Sequence, residues 1–369
     1  MKKLVLVGGG HAHLFVLKYL LEHHLEGVQI TLITPDYFQI YSGMLPGWIA
    51  GHYALENIQI DLRPWVKAAH ATLMLDTMVG VNADSRSIRL VSGRVIQYDL
   101  LSLDTGSETN ISGLEFIGKR LLPVKPLSNF IGTWPRLLDE IQKKPDYALV
   151  IVGGGAASVE IAFSVHFAMQ KVNTHAKICL VFSETGLLAS HPIKVRQQIT
   201  ERMQRLGIQL ISHRVTGVEN GVLLSNGHTV VADVVIAATG AQPPDWLSTS
   251  GLILSNDGFI AVDAFQRSVS HANVFATGDV CSRQDVSVTR SGVHAVHAGP
   301  FLAKNLCAVL SDHVLQSYQP HRSPLYLISC GDQYAVASWG KFSYRGYWVW
   351  RWKNYIDRGF VRKFSRSLQ

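Results

Sequence analysis

The chain has 369 residues, of which 47% are hydrophobic and 17% charged, and its formal net charge is +7. This composition is typical of a globular α/β protein and excludes extensive disorder. No run of about twenty apolar residues occurs, which excludes a membrane-spanning helix. Met1-Lys-Lys3 leads directly into an apolar strand, so we expect no signal peptide and a cytoplasmic location. The cysteines and histidines show no metal-ligand spacing, so we expect no metal site, and we expect no nucleic-acid partner.

Two glycine-rich turns dominate the chain. The first is Leu4-Val-Leu-Val-Gly8-Gly-Gly10, and the second is Leu149-Val-Ile-Val-Gly153-Gly-Gly155. In each, an apolar strand runs into glycines that permit a tight turn and close backbone approach, and a helical pattern follows. The N-terminus of such a helix binds a diphosphate through its free N–H groups and its positive dipole end. We therefore predict two dinucleotide sites, lined by Gly8, Gly10, Gly153 and Gly155.

A later segment is duplicated in register with these turns. Tyr98-Asp-Leu-Leu-Ser-Leu-Asp-Thr-Gly106 and Ala232-Asp-Val-Val-Ile-Ala-Ala-Thr-Gly240 both contain an aspartate, a mainly apolar strand and a terminal Thr-Gly. Each half of the chain therefore predicts a parallel βαβ unit and a further strand. The predicted fold class is α/β, with two Rossmann-like dinucleotide-binding domains.

The remaining segments connect and extend these units. Pro123-Val-Lys-Pro126 predicts an extended crossing segment, because each proline disfavours helix in the residue before it. A strand follows at Asn273-Val-Phe-Ala-Thr-Gly-Asp279, and residues 292–310 have a helical pattern. Beyond Pro320 we predict short strands and then a tail rich in tryptophan and arginine.

On its two glycine turns, its two Thr-Gly strand ends and Val274-Phe-Ala-Thr-Gly-Asp279, the chain resembles the two-dinucleotide-binding flavoproteins, the pyridine nucleotide oxidoreductases. The resemblance implies non-covalent FAD in residues 1–115 and 255–322, NAD(P)H in an inserted domain at 116–254, and a small C-terminal region at 323–369. His11-Ala-His13, Tyr41-Ser-Gly-Met-Leu-Pro46 and Trp348-Val-Trp-Arg-Trp352 are most similar to the flavoprotein half fused to selenide, water dikinase in some proteins. The layout is also similar to type II NADH dehydrogenases, which reduce membrane quinones.

The resemblance also implies residues that hold FAD. Gly278 and Asp279 correspond to a pair that binds the ribityl chain of the flavin. His11 is a candidate cofactor contact, with packing at the helix start as the alternative. The third glycine of the fingerprint is replaced by His13, whose bulk predicts a wider helix–strand separation or an outward ring. At the adenosine ribose, where an acid is expected, the candidates are Thr34 and Asp36, although either could equally serve the turn.

The second unit supplies the candidates for NAD(P)H. Beside Gly153, Gly155 and the strand-end Gly240, Glu160 corresponds to a glutamate that lies next to the nicotinamide and the flavin, where hydride passes directly to flavin N5. Its alternative role is structural, because a carboxylate is favoured in the first turns of a helix. Glu184 follows the next strand, and no arginine occurs before Arg196. A carboxylate suits a free 2′-hydroxyl, so NADH is favoured over NADPH, which stays possible.

The acceptor is predicted from the resemblance to type II NADH dehydrogenases and from the absence of a cysteine pair. Residues 37–53 contain no cysteine pair, so a dithiol relay of the disulfide reductase kind is excluded. A quinone needs only an open flavin face and a proton source. The resemblance to type II NADH dehydrogenases implies that His297, with His294 one turn before it, lies in the helix that borders the quinone pocket, so His297 is the candidate proton donor. The alternatives are a flavoprotein that reduces selenium or sulfur species and a flavin-bound redox sensor.

The tail predicts a helix with an aromatic face and basic flanks. Trp348, Trp352, Tyr355, Ile356 and Val361 would share this face, with Arg351, Lys353, Arg358 and Arg362 beside it. Such a helix suits a membrane interface, which predicts a peripheral protein on the cytoplasmic side. Packing on the protein body and a homodimer contact are the alternatives.

Overall fold

A computed structural model describes residues 1–173, 175–321 and 323–365. Arg322, at the predicted end of the first domain, and residues 366–369 of the predicted C-terminal region lie outside the described residues. The helices are α1 His11–Glu22, α2 Leu45–Ile49, α3 Arg63–Ala68, α4 Leu127–Lys143, α5 Ala156–Val172, α6 Ile193–Arg205, α7 Gly292–Leu310 and α8 Tyr347–Ser365. Short 3₁₀ turns span Ser42–Met44, Leu55–Asn57, Glu115–Arg120, Asp245–Thr249 and Gly278–Val280.

The strands follow in chain order. They are β1 Lys2–Val7, β2 Val28–Thr34, β3 Phe38–Ile40, β4 Gln59–Asp61, β5 Thr72–Leu75, β6 Met78–Asn82, β7 Ser87–Leu90, β8 Val95–Gln97, β9 Leu100–Leu103, β10 Glu108–Thr109, β11 Leu121–Pro123, β12 Ala148–Val152, β13 Lys177–Phe182, β14 Gln209–Ser212, β15 Val215–Val218, β16 Gly221–Leu224, β17 Thr229–Val231, β18 Val234–Ala237, β19 Ala241–Gln242, β20 Ile260–Val262, β21 Val274–Ala276, β22 Cys281–Arg283, β23 Leu325–Ser329, β24 Ala335–Trp339 and β25 Phe342–Gly346.

Two five-stranded parallel sheets form the body of the protein. The first has the order β21-β9-β1-β2-β5, and the second has the order β11-β18-β12-β13-β14. Their central strands, β1 and β12, are buried and apolar from Leu4 and Leu149 onward because helices or small antiparallel sheets cover both faces. Strand β21 pairs with β9 although the whole second sheet lies between them in the sequence. The predicted α/β fold, with one Rossmann-like unit inserted in the other, is therefore confirmed.

The duplicated aspartates have the same structural role in both units. The Asp99 carboxylate accepts a hydrogen bond from Lys3 N–H at 2.7 Å, and the Asp233 carboxylate accepts one from Ala148 N–H at 2.9 Å. In return, the backbone N–H of each aspartate donates to the carbonyl of the same partner. Each aspartate therefore fixes the register between the first strand of its sheet and the strand that ends in Thr-Gly.

The two Thr-Gly strand ends lie close to each other. Beyond Gly106 and Gly240 the chain forms β10 and β19, which pair as a short antiparallel ribbon. The Thr239 hydroxyl donates to the carbonyl of Asn110, and Asn110 N–H donates to the carbonyl of Gly240. The duplicated ends therefore join the two units directly.

The C-terminal region packs on both units. Strands β23–β25 form an antiparallel sheet, and α8 runs from it back to the first unit. The Phe364 ring meets Trp65, whose Nε1–H donates to the Phe364 carbonyl at 2.8 Å. In the described residues, no helix has both the length and the apolar character needed to cross a bilayer.

The predicted face of the tail is wrong in two positions. Val361 is buried against the first unit, and the Lys353 side chain is only 13% exposed, in an ion pair with Asp357 at 2.9 Å. Trp348, Tyr355 and Ile356 are exposed, as the predicted aromatic face requires. One face of α8 packs on the protein and another is exposed. The mixed aromatic and basic sequence did not determine how the helix is rotated about its axis.

The register contact of Asp233 predicts a measurable loss of stability. Asp233→Ala removes a partly exposed hydrogen bond to Ala148 N–H and an ion pair with Lys144, so the free energy of unfolding should fall by about 1 kcal/mol. Partial burial alone would raise the pKa of the Asp233 carboxyl group, but its contacts with Ala148 and Lys144 outweigh burial and lower the pKa. The difference from the unchanged protein, measured by urea unfolding, should therefore shrink as the pH falls through the acidic range.

Asp139→Ala is the matched control, because Asp139 is an exposed aspartate on α4 whose side chain makes no hydrogen bond to the described residues. Equal unfolding free energies for the two variants would contradict the register role.

Candidate functional site

The glycine turns form two cradles with the same backbone geometry. Gly8 and Gly153 have positive φ angles of 94° and 146°, and a Cβ on either would overlap a backbone carbonyl, that of Asp104 or Ala238. Those two residues immediately precede the duplicated Thr-Gly pairs. The neighbouring strand end therefore requires glycine at both positions, independently of any ligand.

The first cradle contains a carboxylate that the sequence analysis missed. Asp104 is buried, and its Oδ2 accepts hydrogen bonds from Ala12 N–H at 2.8 Å and His13 N–H at 3.0 Å. A Cβ on Gly10 would overlap this carboxylate. Burial raises the pKa of Asp104 to about 7, although both hydrogen bonds oppose the shift. The signal was present in the repeat, because the equivalent residue of the second unit is Ala238.

Of the two alternatives for His13, the outward ring is wrong, because its ring points inward. His13 is 1% exposed, its Nδ1 lies 2.6 Å from the Gly8 carbonyl, and its Nε2 lies 2.8 Å from Ser102 Oγ. Burial lowers the pKa of His13 to about 4, so the ring is neutral and donates to Gly8 while it accepts from Ser102. The imidazole links α1 to the end of β1 and to β9. A glycine in this third fingerprint position would instead allow the helix and strands to pack directly.

The residues around Asp279 fit the polar part of a flavin. Asp279 forms an ion pair with Lys125 at 2.6 Å, and a cavity beside it is lined by Gly278, Ser291 and His294. Buried polar atoms of His11 (Nε2), Ser291 (Oγ) and His294 (Nδ1) have no hydrogen-bond partner in the described part of the chain. Buried polar groups normally have partners, so these atoms suit a polar ligand. The assignments of His11, Gly278 and Asp279 to FAD stay proposals.

Thr34 and Asp36 differ in their surroundings. Thr34 is buried beneath the first cradle, with its Oγ1 3.2 Å from where a Cβ of Gly9 would lie. Asp36 is exposed, and its carboxylate accepts from Phe38 N–H at 3.0 Å, which is turn chemistry. The contact of either residue with the adenosine ribose stays a prediction.

The second cradle is open. No described atom lies within 4 Å of a Cβ built on Gly155, and no side chain caps the N-terminus of α5. Ser158, in the third fingerprint position, donates from its hydroxyl to the Gly155 carbonyl at 2.7 Å. The first-turn N–H groups of α5 therefore remain available for a diphosphate, which suits Gly153 and Gly155 as ligand-binding residues. Gly240 lies at the junction with the ribbon of β10 and β19.

Glu184 lies close to His213 and Arg214, which are distant from it in the sequence. Its Oε1 accepts from Arg214 N–H at 3.3 Å and from Ser225 Oγ at 3.2 Å. The side chains of His213 and Arg214 lie within 3.9 Å of its carboxylate. The structure therefore places one cation, Arg214, which suits a 2′-phosphate, beside the carboxylate that suits a 2′-hydroxyl. The preference for NADH stays a prediction.

Glu160 connects the second unit to the C-terminal region. Its Oε1 accepts from Ser329 N–H at 2.8 Å. Burial raises the pKa of Glu160, and the positive charge of Lys353 on α8 opposes the shift. Lys353 Nζ donates to Asp357 and, at 2.8 Å, to the Gly43 carbonyl of the first unit. Glu160 therefore lies where the two units and α8 meet.

The structure does not bring His297 to the cavity beside Asp279. His297 is exposed on α7, with its ring centroid 5.1 Å from that of His321. His294, one turn earlier, lines the cavity instead. The helical period places the two histidines on adjacent faces, and the sequence did not determine which face looks inward. The proton-donor role of His297 stays a prediction.

Comparisons with known proteins agree with this geometry. The family model of the pyridine nucleotide-disulphide oxidoreductases matches residues 2–299. Ferroptosis suppressor protein 1 of Taeniopygia guttata is 27% identical over 309 residues, which cover 79% of this chain and 77% of that protein.

Two solved structures are similar over the whole chain. The sulfide:quinone oxidoreductase of Aquifex aeolicus has a TM-score of 0.81 at 18% identity, covering 100% of this chain and 92% of that chain. NDH2 of Plasmodium falciparum, in complex with NADH, has a TM-score of 0.80 at 14% identity, covering 100% and 99%. At these identities the likeness shows the fold alone.

These matches decide part of the sequence interpretation. The resemblance to the flavoprotein half fused to selenide, water dikinase is not supported by them. The expected cofactors, FAD and NAD(P)H, are confirmed as those of the matched family. With its two cradles and a family match over residues 2–299, the chain belongs to the pyridine nucleotide-disulphide oxidoreductase family.

Proposed function

We propose that this protein is an NAD(P)H:quinone oxidoreductase that works at a membrane surface. FAD held by the first cradle would supply the two-electron chemistry between NAD(P)H and the acceptor. The observation that carries the proposal is a group of three aromatic rings beside the first cradle, those of His11, Tyr41 and Phe360, which we call the aromatic slot.

The three rings of the aromatic slot pack against one another, and their outer faces suit a flat acceptor. Tyr41 and Phe360 stack with ring centroids 4.6 Å apart, and His11 lies 5.4 Å from Tyr41 and 5.8 Å from Phe360. All three residues are half-buried, and burial lowers the pKa of His11 to about 4, so its ring is neutral. Aromatic faces and edges favour contact with another planar ring. The name of the Aquifex aeolicus enzyme, which includes a quinone, supports the same acceptor class.

A buried polar chain reaches the aromatic slot and suits proton delivery. Tyr41 Oη donates to Asp357 Oδ1 at 3.2 Å, and Lys353 donates to the other oxygen of Asp357. Burial and the charge of Asp357 raise the pKa of Tyr41, so the phenol keeps its proton at neutral pH. We infer that Tyr41 Oη gives a proton to the acceptor and that Asp357 and Lys353 restore it.

A thiol relay does not fit the four cysteines, which disfavours sulfur chemistry of that kind. All four are free, and burial raises the pKa of Cys179, Cys281 and Cys307 to about 12 and that of Cys330 further. The thiols are therefore protonated at neutral pH, whereas the thiolate is the reactive form. Glu160 and the open second cradle disfavour a redox sensor that takes no reductant.

The exposed stripe of α8 suits a membrane interface. Trp348, Tyr355 and Ile356 are 53%, 73% and 41% exposed, and Arg351 is exposed beside them. Aromatic rings with basic neighbours bind at the boundary between lipid headgroups and acyl chains. We therefore place this stripe on the membrane that would supply the quinone; a homodimer contact is the competing use.

The acceptor assignment predicts the outcome of steady-state assays. With NADH as donor, the protein should turn over a soluble quinone rapidly, and selenite or polysulfide slowly. Cys330→Ala should keep the quinone rate within about twofold, because the buried thiol takes no part in electron transfer. Negligible quinone turnover beside rapid reduction of selenite or polysulfide would refute the proposal.

Two substitutions should separate the two half-reactions. Glu160→Gln removes a charge where the units meet and should slow anaerobic flavin reduction by NADH about tenfold, with FAD retained. Tyr41→Phe removes the proposed proton donor and should slow reoxidation of the reduced protein by quinone about tenfold. Stopped-flow absorbance measures both rates.

Each variant is the control for the other, since Glu160→Gln should leave reoxidation unchanged and Tyr41→Phe should leave reduction unchanged. If both variants slow both half-reactions equally, the assigned roles are wrong.

Membrane association predicts flotation with lipid vesicles. The wild-type protein should float with vesicles that contain anionic lipid, and Trp348→Ala with Tyr355→Ala should reduce the bound fraction several-fold. Phe116→Ala, at a residue 81% exposed in the second unit, is the matched control and should bind like the wild type. Unchanged flotation of the α8 variant would contradict the membrane role, and a loss of dimer in light scattering would assign the stripe to self-association.

A further inference from the structure

The two cradles differ by one charged group. In the second, Ala238 precedes the Thr-Gly pair, and the space beside Gly155 is open. In the first, the Asp104 carboxylate fills the space beside Gly10 and binds Ala12 N–H and His13 N–H. A Cβ on Gly278 would also lie 3.1 Å from Asp104 Oδ1. The glycines of the first cradle thus make room for an anion that belongs to the chain itself.

This internal anion lies where the family binds an external one. A dinucleotide places its negative diphosphate at the first turn of the helix that follows the glycines. Asp104 accepts hydrogen bonds from two N–H groups of that turn. A carboxylate and a diphosphate close together in a buried site repel each other strongly, and a proton on the carboxyl group removes the repulsion.

We propose that Asp104 couples FAD binding to the uptake of one proton. As a carboxylate, Asp104 holds the N-terminus of α1 in place of the diphosphate. As the neutral acid, it accommodates the diphosphate beside it. This coupling requires FAD binding but is independent of the acceptor.

Among the groups around the first cradle, Asp104 has a pKa near neutral, whereas burial lowers the pKa of His294 on α7 below its usual value. On α1, burial lowers the pKa of His11 and His13 to about 4, so both rings are neutral. After β21, Asp279 is paired with Lys125 of the crossing segment, and burial raises the pKa of Cys281 to about 12. Burial, with a smaller contribution from Asp279, raises the pKa of Asp104 to about 7.

The sign of the pH dependence follows from linkage. The diphosphate raises the pKa of Asp104 above 7, so the complex binds more protons than the free protein between the two pKa values. FAD affinity should therefore be constant below pH 7 and fall by up to about tenfold per pH unit above it, until the pKa in the complex is passed.

The test uses full-length apoprotein reconstituted with FAD. Affinity is measured by FAD fluorescence quenching from about pH 6 to about pH 9, and proton uptake by calorimetry in buffers of different ionisation enthalpy. The wild type should take up close to one proton per FAD at about pH 8. Asp104→Asn keeps an acceptor for the two N–H groups but cannot titrate. It should take up none and bind FAD more tightly than the wild type at alkaline pH.

Asp99→Asn is the matched control, because that carboxylate lies at the opposite end of β9 and contacts Lys3 N–H instead of the cradle. It should keep the wild-type proton uptake. If Asp104→Asn does not fold, Asp104→Ala, which copies Ala238 of the second cradle, also lacks a titrating group and has the same expected result. The proposal is overturned if the wild type binds FAD without proton uptake in this range, or if the non-titrating variant keeps the uptake. If Asp104 were only a structural cap, its replacement would instead lower FAD affinity equally at every pH.

Discussion

The structure depends on a close contact between a glycine turn and the backbone of a neighbouring strand end, which occurs once in each unit. The carbonyls of Asp104 and Ala238 lie where Gly8 and Gly153 would carry a side chain. Asp104 N–H and Ala238 N–H donate to the last residues of β1 and β12, which fixes each strand end against its glycine turn. This contact directs the N-termini of α1 and α5 toward their ligands, and it brings the two Thr-Gly ends together in one ribbon. The geometry that creates each dinucleotide site is therefore also the geometry that joins the two units.

The C-terminal region completes the site that the two units leave open between them. Strand β23 supplies the N–H of Ser329 to Glu160, and α8 supplies Lys353, Asp357 and Phe360. These groups lie against Tyr41 of the first unit, so a charge on the helix of the second cradle influences groups at the aromatic slot. One helix thus carries a buried polar stripe for the chemistry and an exposed aromatic stripe for the proposed membrane contact.

The sequence alone predicted the features that depend on local pattern. The glycine turns, the repeated Asp-strand-Thr-Gly segment and the α/β class follow from spacing and apolar strands, and the structure contains them. Features that depend on tertiary packing were missed or wrong. The inward ring of His13, the burial of Lys353 and the outward position of His297 depend on how each helix is rotated about its axis. Arg214 reaches Glu184 from the connection between β14 and β15, so their distance in the sequence gave no sign of this contact. The mismatch between Asp104 and Ala238 was present in the repeat, but the contacts of the Asp104 carboxylate with Ala12 N–H and His13 N–H depend on the folded structure.

The central claim is that one chain holds a flavin in its first cradle and admits the reductant to its second. The most direct test is an anaerobic titration of the purified protein with NADH, followed by visible absorbance. The account predicts about one FAD per chain and loss of the yellow flavin absorbance after about one equivalent of NADH, because hydride transfer moves two electrons. A colourless protein that does not take up FAD on reconstitution, or a flavin that neither NADH nor NADPH bleaches, would contradict it.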